Sequence, residues 1–110
     1  MNAQTSSMVL LGEPYVGETK FHYGDVIKCS MFPSRERLTV LSIEIQDKNP
    51  FCEVIVYELE SSTKGRVNAY KDVLEADGFY EVETPASEGQ REAWELLTKK
   101  FREGKMHRLN

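Results

Sequence analysis

Residues 41–59 read LSIEIQDKNPFCEVIVYEL. Leu41, Ile43 and Ile45 alternate with Ser42, Glu44 and Gln46, the period of a strand with one dry face and one wet face. Leu38 and Val40 fall on the other parity, so a β-bulge near Val40 or Leu41 is expected to bring all five onto one side. Asp47-Lys48-Asn49-Pro50 has the chemistry of a turn, and Pro50 holds Asn49 in an extended conformation. The returning strand, Phe51 to Leu59, is the most β-prone part of the chain. Cys52, Val54 and Val56 occupy one face of it, and Phe51, Ile55, Tyr57 and Leu59 the other. A strand that is apolar on both faces belongs inside a sheet or under a helix.

Outward from this hairpin, the pattern remains β on both sides. Residues 1–7 are small and polar, which predicts a disordered N-terminus, and Met8 to Leu11 predicts a first strand. Gly12, Pro14 and Gly17 mark a loop. A second strand is expected around Asp25 to Cys29, opened by the turn Tyr23-Gly24-Asp25, and Pro33 to Arg37 reads as a polar connection. After the hairpin, the turn of Ser61 to Arg66 leads into a strand over Val67 to Val73, and the turn of Leu74 to Gly78 into a last strand over Phe79 to Glu83. The β region is thus predicted over 8–83.

Thr84-Pro85-Ala86 ends the β region, and Ser87 with Gln90 forms a capping box that starts a helix over 88–103. Gln90, Trp94, Leu97 and Phe101 recur at helical spacing, which predicts an apolar stripe that packs on the sheet through Trp94, Leu97 and Phe101. Gly104 is expected to stop the helix, so 84–104 is read as the helical segment and 105–110 as a tail.

Five or six short strands with tight turns suit a small barrel or a strongly curled antiparallel sheet. Gly24-Asp25-Val26-Ile27, the hairpin 41–59, and Gly65-Arg66-Val67 leading into Val73-Leu74-Glu75 resemble the SH3-like barrels, including KOW and Tudor-type modules. The expected fold class is therefore mainly β, within α+β, with one C-terminal amphipathic helix. The resemblance implies a binding module in preference to an enzyme.

Composition narrows the classes. A chain of 110 residues with 40 % hydrophobic and 29 % charged residues is one globular domain by length and composition. No stretch reaches the ~20 apolar residues of a membrane span, and Met1 to Ser7 lacks the pattern of a signal peptide, which points to the cytoplasm. Cys29 and Cys52 sit in strand-like segments without CxxC spacing, as two reduced, buried small hydrophobes would. No sequence pattern for a metal, a cofactor or a catalytic nucleophile is present. His22, Asp25 and Cys29 do not share a strand face, so they make a poor catalytic set.

Charge is unevenly distributed. Residues 1–96 hold 9 bases and 17 acids, a balance of −8, and residues 97–110 hold five bases and Glu103, a balance of +4. Glu81, Glu83, Glu88 and Glu92 are the candidate acidic docking face, within a run from Asp72 to Glu95 in which Arg91 is the sole base. Part of that run is also what a helix start favours, and Glu95 with Lys99 is a well-oriented i,i+4 pair. Tyr15, Tyr23 and Tyr70, beside glycine or polar residues, are the candidate aromatic anchors, drawn from a set with Phe21, Phe32, Tyr57, Phe79 and Tyr80. The leading expectation is a small non-enzymatic protein that docks on another protein, as a bacterial or phage accessory or inhibitory protein would. Two alternatives stand beside it. One is a KOW-like nucleic-acid module using Lys64, Arg66, Lys71 and the basic tail. The other is an oligomer that sequesters a small nucleotide-like ligand.

Overall fold

The computed structural model describes residues 11–48 and 51–109. In chain order its elements are β1 (Glu13–Pro14), β2 (Val26–Cys29), β3 (Leu38–Lys48), β4 (Glu53–Ser61), β5 (Gly65–Tyr70), α1 (Lys71–Leu74), β6 (Tyr80–Thr84) and α2 (Glu88–Leu109). The six strands form one antiparallel sheet in the order β5-β4-β3-β2-β6, and β1 pairs with the far end of β3. The expectation of a mainly β chain with a C-terminal helix is met. The closed barrel is not. β5 and β6 end the sheet without pairing to each other, because the chain leaves β5 for the single turn of α1. Phe21 and Leu74 join the strand side chains in the buried core, and Trp94 packs against it.

The expected bulge lies in β3. Val40 pairs with Leu59 and Ser42 with Glu58, so Leu41 is the extra residue and parity changes across it. Leu38, Val40 and Ile43 thereby share the core face with Tyr57 and Leu59. A second irregularity falls between Ile45 and Asp47. Phe21 meets the Tyr57 ring edge-on, at 6.1 Å between centroids and 66°. On the reverse face, Glu44 is buried and accepts hydrogen bonds from the Ser42 hydroxyl at 2.5 Å and the Leu11 amide at 3.1 Å. Burial and the neighbouring Glu44 raise the Glu58 carboxyl above its ordinary value, against the opposing pull of Arg66.

Several boundaries differ from the sequence reading. The N-terminus 1–7 expected to be disordered, the Met8–Leu10 part of the expected first strand, and the turn residues Asn49 and Pro50 lie outside the described residues; among the described residues the first paired strand is Glu13–Pro14. The strand expected over Val67 to Val73 ends at Tyr70. Its remainder coils into α1, which buries Leu74 and places Glu75 against Lys71 at 3.0 Å. Cys29 is half-buried, and Cys52 is exposed, not buried as expected.

The capping box forms as written. The Gln90 amide donates to Ser87 Oγ at 3.2 Å, and the Ser87 amide to Gln90 Oε1 at 2.9 Å. α2 then runs through Gly104 to Leu109, past the stop expected there. One interior glycine costs a helix only ~1 kcal/mol relative to alanine, which its flanking helix formers can offset. Trp94 packs on the core and stacks on Tyr23 at 6.4 Å between centroids. Leu97 and Phe101 are half-buried, and Thr98, absent from the expected stripe, is the most buried residue described in this helix. Glu95 and Lys99 form no ion pair among the described residues.

Candidate functional site

The outer edge of β6 has no strand partner among the described residues. On its inner edge Tyr80 pairs with Cys29, Glu81 with Lys28, and Val82 with Ile27. Directly opposed residues share a face, so Tyr80 and Val82 look toward the core side and Glu81 and Glu83 toward the reverse. Tyr80 reaches the core, whereas Val82 stays 38 % exposed at the sheet's margin. The turn before β6 uses Gly78 at φ +84°, a backbone conformation that glycine adopts without strain. Ser30 fastens the β2–β3 loop to this turn. Its amide donates to the Phe79 carbonyl and its hydroxyl to the Gly78 carbonyl, both at 2.9 Å.

That fastening sets Met31 and Phe32 beside Phe79. The three side chains, with Leu38, Tyr80 and Cys29, line a recess of about 370 Å³, to which Lys28, Ser34, Glu36 and Lys64 add polar walls. Met31 is 60 % exposed, Phe32 63 % and Phe79 45 %. A clustered set of exposed aromatic and methionine side chains at a sheet margin is the composition of a binding hot spot. Sequence reasoning missed Met31 and Val82 as site residues. The available signal was Met31-Phe32-Pro33, two large apolar residues inside an otherwise polar connection.

The four expected acidic residues divide into two pairs. Glu81 lies 4.0 Å from Lys28, and Glu83 accepts a hydrogen bond from Arg37 Nε at 2.7 Å, which holds its carboxyl below the ordinary value. Glu88 and Glu92 are exposed, one turn apart at the start of α2, and form no ion pair among the described residues. The three tyrosines do not form a common platform. Tyr15 and Tyr23 are half-buried, one packed on the core and the other stacked on Trp94. Tyr70 is 54 % exposed and lines a separate recess with Ile55 and Val73. The nucleic-acid candidates each face an acid. Lys64 lies 3.8 Å from Glu36, Lys71 lies 3.0 Å from Glu75, and Arg66 is paired across the ladder with Glu60.

His22 Nδ1 lies 3.6 Å from Asp25 Oδ2. The Asp25 carboxylate already accepts the amides of His22 at 2.8 Å and Ala86 at 2.6 Å. Cys29 lies in the Met31–Phe32 recess, so the structure does not assemble His22, Asp25 and Cys29 as base, orienter and thiol. Among the described residues no group of three or more histidine, cysteine, aspartate or glutamate side chains is placed to hold a metal ion, and no helix is long and apolar enough to cross a membrane. No protein-family model, curated protein or solved structure matches the chain.

Proposed function

We propose that this chain is a protein-binding module that takes an extended segment of a partner protein along the open edge of β6. The observation that carries this reading is the exposure of Met31, Phe32 and Phe79 around one recess beside an unpaired strand. Strand addition gains main-chain hydrogen bonds from the edge, and an apolar side chain of the incoming segment fills the neighbouring recess. The partner segment is basic. Exposed Glu88 and Glu92, which form no ion pair among the described residues, lie just beyond β6 at the start of α2, whereas Glu81 and Glu83 are already partly neutralised by Lys28 and Arg37. These charges speed encounter and set orientation more than they add affinity. Occupying a partner's own segment in this way suits an accessory or inhibitory role, with no chemical step.

The test is capture from a lysate of the source organism on the immobilised chain, at low and high salt, beside the variant Met31→Asp/Phe32→Asp. Both positions are exposed, so the variant keeps its fold, checked by thermal melting. A protein retained by the wild type and lost from the variant is the expected result. The same proteins on both surfaces, or none on either, would overturn the reading. Micromolar binding of labelled RNA or DNA that falls steeply with salt would replace it with the nucleic-acid alternative.

A further inference from the structure

A second concave surface lies between the loop after β1 and the helix α2, and it is independent of the β6 edge. It is a groove of about 560 Å³, within the ~300–1,000 Å³ typical of small-ligand sites. Tyr15, Val16 and Trp94 supply its accessible apolar surface, and Glu95, Lys99 and Arg102 line it from the helix. These three positions are spaced i, i+4 and i+7, so the charge runs from acid to base over ~10 Å along the helix axis. Lys99 and Arg102 are exposed and form no ion pair among the described residues, although Glu95 is one turn away and Glu18 lines the same groove. Arg102 also borders an adjoining recess of about 330 Å³ beside Phe101, which extends the basic end.

We infer that this groove binds a nucleoside monophosphate or a close analogue of one. Three features of such a ligand match three features of the groove. The flat base lies against the Trp94, Tyr15 and Val16 surface, where stacking on aromatic side chains tolerates any base. The phosphate meets Lys99 and Arg102 through charge-assisted hydrogen bonds, of which Arg can make two in parallel. The hydroxyl or amino donors of the sugar and base satisfy the Glu18 and Glu95 carboxylates. The two acids limit the tolerated ligand charge, which favours a monophosphate over a triphosphate. Unlike a pocket assembled between protomers, this groove is complete within one chain.

Trp94 is the sole tryptophan of the chain, so its emission reads occupancy directly. The experiment titrates the purified full chain with adenosine monophosphate, uridine monophosphate, adenosine and inorganic phosphate, exciting on the red side of nucleotide absorption. A saturable emission change with the monophosphates, much weaker with adenosine or phosphate alone, is expected. Lys99→Ala and Arg102→Ala should each weaken monophosphate binding about tenfold, the loss expected for one charge-assisted contact. Arg35→Ala, exposed and outside the groove, should leave it unchanged. Flat emission with every monophosphate overturns the inference, as does adenosine binding as tightly as its monophosphate, or unaltered binding in both groove variants. The Met31→Asp/Phe32→Asp protein should bind nucleotide normally, which separates failure here from failure of the docking reading.

Discussion

Asp25 holds together three parts of the chain that are distant in sequence. Its carboxylate accepts the His22 and Ala86 amides, its own amide donates to the His22 carbonyl, and its carbonyl accepts the Val40 amide. The loop before β2, the strand β3 and the linker into α2 are therefore joined at one residue that is 2 % exposed. Asp25→Ala would leave two amides unmet near the core and is expected to cost about 2–4 kcal/mol, read as a lower denaturation midpoint. Gly24, next to it, sits at φ +94°, and a Cβ there would lie 2.5 Å from the Gln90 side chain that caps α2. Gly24→Ala therefore meets both backbone strain and the capping box, with an expected loss of about 1–3 kcal/mol in the same measurement. The sequence marks Tyr23-Gly24-Asp25 as a turn. That the turn's carboxylate also anchors the helix linker, 61 residues away, cannot be read from local chemistry.

At the scale of elements, the agreement and the differences have separate causes. The hairpin, the bulge at Leu41 and the Ser87–Gln90 cap were legible because each is a pattern within a few residues. Val67 to Val73 read as a strand because it alternates acceptably. Its end instead coils into α1, since that turn buries Leu74 fully and leaves Val73 60 % exposed. Similarly, Gly104 resembles a stop, yet α2 continues through it. Gly104→Ala is therefore expected to stabilise the protein by up to ~1 kcal/mol and to raise its helical circular dichroism. Alanine at a left-handed C-terminal cap would do the opposite, so the sign of the change tests the helix boundary.

Across the whole molecule, the Tyr57–Glu75 contact shapes stability against pH. Glu75 accepts hydrogen bonds from the Tyr57 hydroxyl, the Lys20 amide at 3.0 Å and Lys71. Burial opposes its ionisation, but these donors outweigh burial and hold its carboxyl below the ordinary value. The unfolded chain then takes up this proton first as pH falls. The contribution is whole above the unfolded glutamate value and is lost as pH drops through the folded one. Tyr57 behaves in the opposite sense. Burial, and then its hydrogen bond to Glu75, push its hydroxyl well above the ordinary tyrosine value, so its contribution is present below pH ~10 and lost as pH rises beyond it. Tyr57→Phe should flatten the alkaline limb of a denaturation–pH profile, move the acid limb upward, and cost about 1–3 kcal/mol at neutral pH. The sequence alone determined a β-rich chain with a bulged hairpin and a capped terminal helix, because residue period and capping act over neighbouring positions. Only the tertiary structure decided that the sheet stays open, that Lys28 and Arg37 partly neutralise the expected acidic face, and that Met31 and Phe32 share a recess with Phe79 while Tyr15 shares a groove with α2. Those outcomes depend on which distant side chains the buried core brings together, and no short stretch of sequence carries that information.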